Sequence, residues 1–190
     1  AFVNMAQYQI AFLGLTPADR VLQFASPSFD ASLSEVFMTL FSGAALLPVS
    51  RAWIDEPWRL REEMVRQGVT VVTFPPSYLR LFNHAEFPGL RVLLTAGEAP
   101  HPADVAFYAS RLDYINAYGP TEAAVCASMR RIPPQEATAP ITIGRPTANT
   151  AINILDSRLQ LLPPGFPGEI CISGIGLAQG YLEPAQTAVG

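Results

Sequence analysis

At 190 residues with 49% apolar content, the chain can bury a sizeable core, as one large domain or a domain plus a smaller lobe. Its formal net charge of −4, with twelve arginines scattered along the chain and no lysine, excludes the basic footprint that nucleic acid or an anionic membrane would need. No apolar run reaches about 18 residues, the first residues lack the basic-then-apolar order of a signal peptide, and Cys126 and Cys171 read as buried reduced thiols, so a cytoplasmic protein is expected.

Apolar residues recur at helical spacing through Phe2, Val3, Ala6, Ile10 and Leu13, and Gly14 stands where a helix would end. A turn over 16–19 leads to a predicted strand over 21–25, the loop Ser26-Pro27-Ser28, and a helix over 30–41 stopped by Gly43. An apolar run over 44–49, an amphipathic stretch over 56–67 and the breaker Gly68 precede a continuous β-branched run over 69–74, the texture of a strand buried on both faces. Pro75 and Pro76 start a helix toward Phe82. A strand over 91–95, a helix over 102–110 and a strand over 114–117 follow.

Repeated strand–helix units of this length predict an α/β fold, a mostly parallel doubly wound sheet with helices on both faces. Near Arg131 the texture changes. Pro133, Pro134 and Pro140 punctuate it, and short strands over 141–143, 151–155 and 169–173 predict a smaller antiparallel β subdomain, a partial barrel. The expected division is 1–135 and 136–190, the second part incomplete at its C-terminal end.

Three loops each follow a predicted strand, where open α/β sheets collect ligands. In Phe29-Asp30-Ala31-Ser32, Asp30 is either a helix cap stabilising the dipole or a counter-charge for a ligand ammonium. In Ala96-Gly97-Glu98-Ala99, small residues allow close approach of backbone or of something flat. Asn116-Ala117-Tyr118-Gly119-Pro120-Thr121-Glu122 offers a ring to stack on a base, a hydroxyl for a phosphate oxygen and a carboxylate for Mg²⁺, which prefers hard oxygen ligands. His84 and His101 have no partners at metal or catalytic spacing and read as loop or helix-end residues.

The segments 29–32, 116–122 and 168–182 (Gly168-Glu169-Ile170-Cys171-Ile172-Ser173-Gly174-Ile175-Gly176-Leu177-Ala178-Gln179-Gly180-Tyr181-Leu182) resemble, in order and spacing, three core motifs of the adenylation domains of nonribosomal peptide synthetases. Gln179 departs from the arginine usual there. The resemblance implies ATP-dependent activation of an amino acid: its carboxylate attacks the α-phosphorus, aminoacyl-AMP and pyrophosphate form, and the acyl group passes to the thiol of a peptidyl carrier protein. The carrier protein and a condensation domain of the same synthetase are the implied partners, with ATP and Mg²⁺ as cofactors.

Carried over by residue, Tyr118 would stack on adenine and Asn116 would hydrogen-bond near its amino edge. Gly97, Glu98, Ala99, Ala117 and Gly119 would border the nucleotide. Thr121 would contact the α-phosphate and Glu122 would hold Mg²⁺, these two being the implied catalytic residues. The amino-acid pocket would be formed by Phe29, Asp30, Ala31, Ser34, Thr73, Leu94, Ala96, Ala117, Val125 and Cys126, with Asp30 on the α-ammonium. The phosphate loop and catalytic lysine of the family would lie outside the chain, which agrees with its lack of lysine.

A pocket wall without a second charge disfavours charged side chains, and the small residues leave room for a ring. Ser34, where a bulkier Trp is common, enlarges the far end and offers a hydroxyl, which favours tyrosine or a related aromatic amino acid. The alternatives are an acyl- or aryl-CoA ligase of the same superfamily, distinguished by free coenzyme A as acceptor, and a non-catalytic binding subdomain.

Overall fold

Side chains that alternate along each strand meet two different layers of helices, and this alternation organises the molecule. The computed structural model describes residues 1–182. α1 (Phe2–Leu13) precedes β1 (Arg20–Gln23), and α2 (Ala31–Ser42) leads to β2 (Ala45–Pro48). The short α3 (Arg51–Ile54) and α4 (Pro57–Arg66) lead to β3 (Val71–Phe74), α5 (Pro76–Leu79) to β4 (Val92–Thr95), and α6 (Pro102–Ala109) to β5 (Asp113–Tyr118). With β6 (Ser128–Ile132) and β7 (Arg145–Pro146) these form one sheet, ordered β2-β1-β3-β4-β5-β6-β7. The pairings from β2 to β5 are parallel and the last two antiparallel.

Val21, Val71, Val92, Leu94, Ile115 and Met129 pack with Met5 and Leu13 of α1 and Met38 of α2. Their sequence neighbours Leu22, Val72, Leu93 and Tyr114 point the other way, onto Leu60 and Met64 of α4, Leu79 of α5, and Val105 and Tyr108 of α6. Strands covered on both faces are apolar at most positions, which is why 71–74 and 92–95 read as apolar runs broken only by Thr73 and Thr95. Each fully buried aliphatic side chain contributes about 1.5–3 kcal/mol. α1 ends in a left-handed glycine, Gly14 at φ 59°, and the Leu15 N–H returns to the Ile10 carbonyl at 3.0 Å. The doubly wound α/β architecture expected from the sequence is therefore present.

A half-buried ion pair locks α1 against the sheet. Asp19, 5% exposed, accepts hydrogen bonds from Arg91 Nε at 2.7 Å, Arg91 Nη2 at 2.9 Å, Thr70 Oγ1 at 2.8 Å and the Thr16 N–H at 2.9 Å. Arg91 also donates to the Leu13 and Gly14 carbonyls at the end of α1.

The expected strand over 141–143 does not form. Side chains take the carbonyls of this segment instead: Asn116 Nδ2 donates to Thr142 at 3.0 Å, Ser128 Oγ to Ile143 at 2.8 Å, and Arg130 Nη1 to Pro140 at 2.9 Å. β6 went unpredicted because Arg130 and Arg131 interrupt its apolar pattern, and pairing with β5 forms it. The smaller sheet consists of β8 (Thr150–Leu155) and β9 (Glu169–Gly174), antiparallel from Thr150↔Gly174 to Leu155↔Glu169. The 135/136 position falls between β6 and β7, upstream of the last strand of the large sheet. Both cysteines are free thiols; Cys126 is buried, whereas Cys171 is only half-buried on the thin two-stranded sheet.

Candidate functional site

Asp30 precedes the first turn of α2, the place where a carboxylate ordinarily caps a helix. Here it makes no capping hydrogen bond, and among the described residues nothing pairs with its carboxylate. The charge is left for something else. Phe29 beside it is 68% exposed, while Ser34, one turn along α2, is buried.

Strand alternation brings the other pocket residues to the face covered by α1 and α2. Leu94, Ala117 and Cys126 are buried in the cluster on that face, and Ala96 and Val125 pack against it. Thr73 lies two positions after Val71, hence on the same side of β3. Asp30 and Ala31 stand at the start of α2, whose Met38 joins this cluster, while Thr73, Leu94 and Ala117 lie near the carboxyl ends of β3, β4 and β5. No charged group interrupts the Leu94, Ala96, Ala117, Val125 and Cys126 surface. Val125 and Ala124 sit at φ 70° and 56°. A β-branched residue in the left-handed region is strained by about 1–3 kcal/mol, the kind of strain that collects at ligand sites.

The neighbouring cavity, about 860 Å³, opens beyond β4 and β5. Gly97, Glu98, Ala99, Asn116, Ala117, Tyr118 and Gly119 border it, with residues 138–143 opposite. Ala117 thus belongs to both the cavity and the apolar wall. A side chain at Gly119 would have its Cβ 2.5 Å from the Ala127 nitrogen, so only glycine lets the chain turn back here. The Glu98 carboxylate accepts from Ser77 Oγ at 2.8 Å and the Ser77 N–H at 3.1 Å, tying the loop to α5. Its backbone remains at the cavity. Asn116 spends one amide hydrogen on Thr142.

Thr121 and Glu122 are exposed beside this cavity. The Tyr181 hydroxyl donates to Glu122 Oε1, and the Ala178 N–H donates to the Glu122 carbonyl at 2.7 Å, so the third motif closes onto the second. The Tyr181 hydrogen bond, before any other cause, holds the Glu122 carboxyl below its ordinary range. Among the described residues no three His, Cys, Asp or Glu side chains cluster to hold a metal. A lone exposed carboxylate suits a Mg²⁺ ion, which is commonly held by one or two carboxylates and by phosphates. His84 Nε2 lies 2.8 Å from Asp104 Oδ1, a local pairing on the far helical layer, and His101 precedes α6. No helix among the described residues is long and apolar enough to cross a membrane.

The sequence profile of AMP-binding enzymes matches residues 1–182. The chain belongs to the AMP-binding enzyme family. It is 45% identical over 181 residues to tyrocidine synthase 2 of Brevibacillus parabrevis, covering 94% of this chain and 5% of that protein. The fold matches the N-terminal subdomain of Klebsiella oxytoca NpsA, solved with 3-hydroxybenzoyl-AMSN, at a TM-score of 0.82 and 25% identity, over 98% of this chain and 50% of that one. It also matches an artificially fused adenylation–PCP di-domain, NpsA-ThdA, at a TM-score of 0.84 and 25% identity, over 98% and 37%. The chain spans half or less of each of these relatives.

The chain also contains, at Glu35, a buried carboxyl that its motifs do not announce. Glu35 of α2 is 1% exposed, and its Oε2 accepts the Ala25 N–H at 3.0 Å, pinning the loop that leads to Asp30. Its Oε1 has no partner. Burial pushes the carboxyl up to about 8, against hydrogen bonds from the Ala25 and Phe24 N–H groups. The folded protein therefore keeps this proton at pH 5–7 whereas the unfolded chain has released it. Stability from this group is full below about pH 4.5 and is lost as pH rises toward 8, at about 1.4 kcal/mol per pH unit. Glu35→Gln is expected to flatten that slope, gaining about 2–3 kcal/mol at pH 7 relative to pH 5. Denaturant unfolding of both proteins at the two pH values checks it; an unchanged slope would assign the pH dependence to other groups.

Proposed function

We propose that this chain binds the amino acid and the nucleotide of an enzyme that activates an α-amino acid as aminoacyl-AMP, for transfer to a peptidyl carrier protein beside a condensation domain. The observation that carries the reading is the Asp30 carboxylate, which caps nothing and has no partner among the described residues, at the start of a helix packed on an apolar face of the sheet. It supplies one counter-charge, which suits the α-ammonium, and the wall offers none for a charged side chain.

In this reading the cavity beyond β4 and β5 takes ATP: Tyr118 stacks on adenine, Asn116 meets its edge, and the backbone of Gly97, Glu98, Ala99 and Gly119 borders it. Thr121 meets the α-phosphate as the substrate carboxylate attacks phosphorus and pyrophosphate leaves. Glu122 is the residue that would hold Mg²⁺, whose charge would neutralise the phosphates. The protein contributes positioning and fixed dipoles rather than covalent chemistry. The aromatic preference, with tyrosine favoured, is supported by the small residues Ala31, Ser34, Ala96 and Ala117 and by the absence of a second charge. Pyrophosphate exchange by the full-length protein against a panel of amino, aryl and fatty acids tests the reading. Exchange driven by aryl or fatty acids but by no amino acid would favour the coenzyme A ligase alternative.

Ser34→Trp fills the far end of the pocket and is expected to shift preference from tyrosine toward phenylalanine by about 1–3 kcal/mol in relative kcat/KM. Competition between the two amino acids, with thermal melts to confirm folding, measures the shift. An unchanged ratio in a folded variant would mean that position 34 does not face the ring.

A further inference from the structure

Gln9 stands on α1, a helix that carries none of the motif residues. Its neighbours one turn away on the same face, Met5 and Leu13, belong to the apolar cluster that also contains Leu94, Ala117 and Cys126. Gln9 itself is 3% exposed. A carboxamide in the middle of such a stripe is costly unless its polar atoms are matched. Its Oε1 accepts the Ser34 hydroxyl at 2.8 Å across 25 residues of sequence. Ser34, on α2, is a residue of the amino-acid pocket as read above.

A serine hydroxyl has one hydrogen and two lone pairs. With that hydrogen committed to Gln9, Ser34 meets a ligand as an acceptor. Cys126 likewise spends its hydrogen, on the Ser128 carbonyl at 3.4 Å. We propose that Gln9 is a positioning residue that sets the specificity of the pocket: by holding the Ser34 hydrogen, it makes the far end select a ring whose para substituent donates a hydrogen bond. The inference rests on the aromatic amino-acid reading of the site. Under it, tyrosine is chosen as a donor and not merely because Ser34 is small.

The experiment uses the full-length protein and pyrophosphate exchange with tyrosine, 4-aminophenylalanine and 4-fluorophenylalanine, whose para groups are similar in size but differ in donating ability. The wild type is expected to favour both donors over the fluoro compound about three- to tenfold in kcat/KM, the scale of one hydrogen bond. Gln9→Met, of similar length but without polar groups, frees the Ser34 hydrogen to turn toward the ligand. Its donor preference is expected to fall within about twofold, while phenylalanine is used nearly as before. Ser34→Ala should remove the same preference, and the double variant should lose nothing more, as residues acting through one hydrogen bond do.

Equal use of tyrosine and 4-fluorophenylalanine by the wild type, or an intact preference in folded Gln9→Met, overturns the inference and leaves the aromatic reading standing. Exchange with no aromatic amino acid overturns that reading, and the inference with it. Should Gln9→Met fail to fold, the wild-type panel and Ser34→Ala decide: a donor preference untouched by Ser34→Ala overturns the proposal.

Discussion

Asp30→Ala is expected to reduce amino-acid-dependent pyrophosphate exchange by about two to four orders of magnitude in kcat/KM, while the melting temperature moves by no more than about 1–2 °C. The first half follows from the counter-charge. An ammonium brought onto the apolar wall without a carboxylate is a partly desolvated, unpaired ion, a loss of about 3–5 kcal/mol. The second half follows from the absence of any capping hydrogen bond at Asp30, so that α2 loses no partner when the carboxylate goes. Asp30→Glu is expected to fail as well, because its extra methylene moves the charge along the pocket. Steady-state exchange and thermal melts on the same preparations give both quantities. Near-normal efficiency would return Asp30 to the electrostatics of the helix terminus; a large drop in stability would make it structural.

The largest effect on stability is expected at Asp19. Its carboxylate gathers Arg91, Thr70 and Thr16 beneath the end of α1, and truncation leaves the Arg91 guanidinium without its buried partner. Arg91 is 38% exposed at its side chain, so water softens the penalty; about 3 kcal/mol, or some 6–12 °C in melting temperature, is the expected cost of Asp19→Ala.

Burial alone would push the Asp19 carboxyl up. The hydrogen bonds from Arg91, Thr16 and Thr70, with the Arg91 charge, outweigh it and hold the group well below the usual carboxylate range. Its contribution is therefore complete above the unfolded value near 4 and is lost as pH falls below it, opposite in sense to Glu35. Melts of wild type and Asp19→Ala from pH 7 to pH 3 should show the gap closing toward the acid end. A gap independent of pH would point to lost packing rather than lost charge.

Helices and strands were legible wherever burial imposed a period. The run over 69–74 announced a strand covered on both faces, and Gly14 and Gly43 announced helix ends, because those constraints act within a few residues of the chain. The short motifs at 29–32 and 116–122 were legible for the same reason, as dense local sets of polar and small groups after a strand. β6 was missed and the segment 141–143 misread because pairing and side-chain contacts from elsewhere decided them: β5 draws Arg130 and Arg131 into a strand, while Asn116, Ser128 and Arg130 take the carbonyls over 140–143.

The chemistry of the candidate pocket divides in the same way. Sequence alone nominated Asp30 yet left it between cap and counter-charge, since both roles call for a carboxylate before a helix; the fold adds that it makes no capping hydrogen bond. Gln9 against Ser34, Glu35 against the loop before Asp30, and Tyr181 against Glu122 are side-chain meetings that no local spacing encodes. A hydrogen bond between helices depends on where the sheet holds them, so the residue types were determined by the sequence while their partners were decided by the tertiary fold.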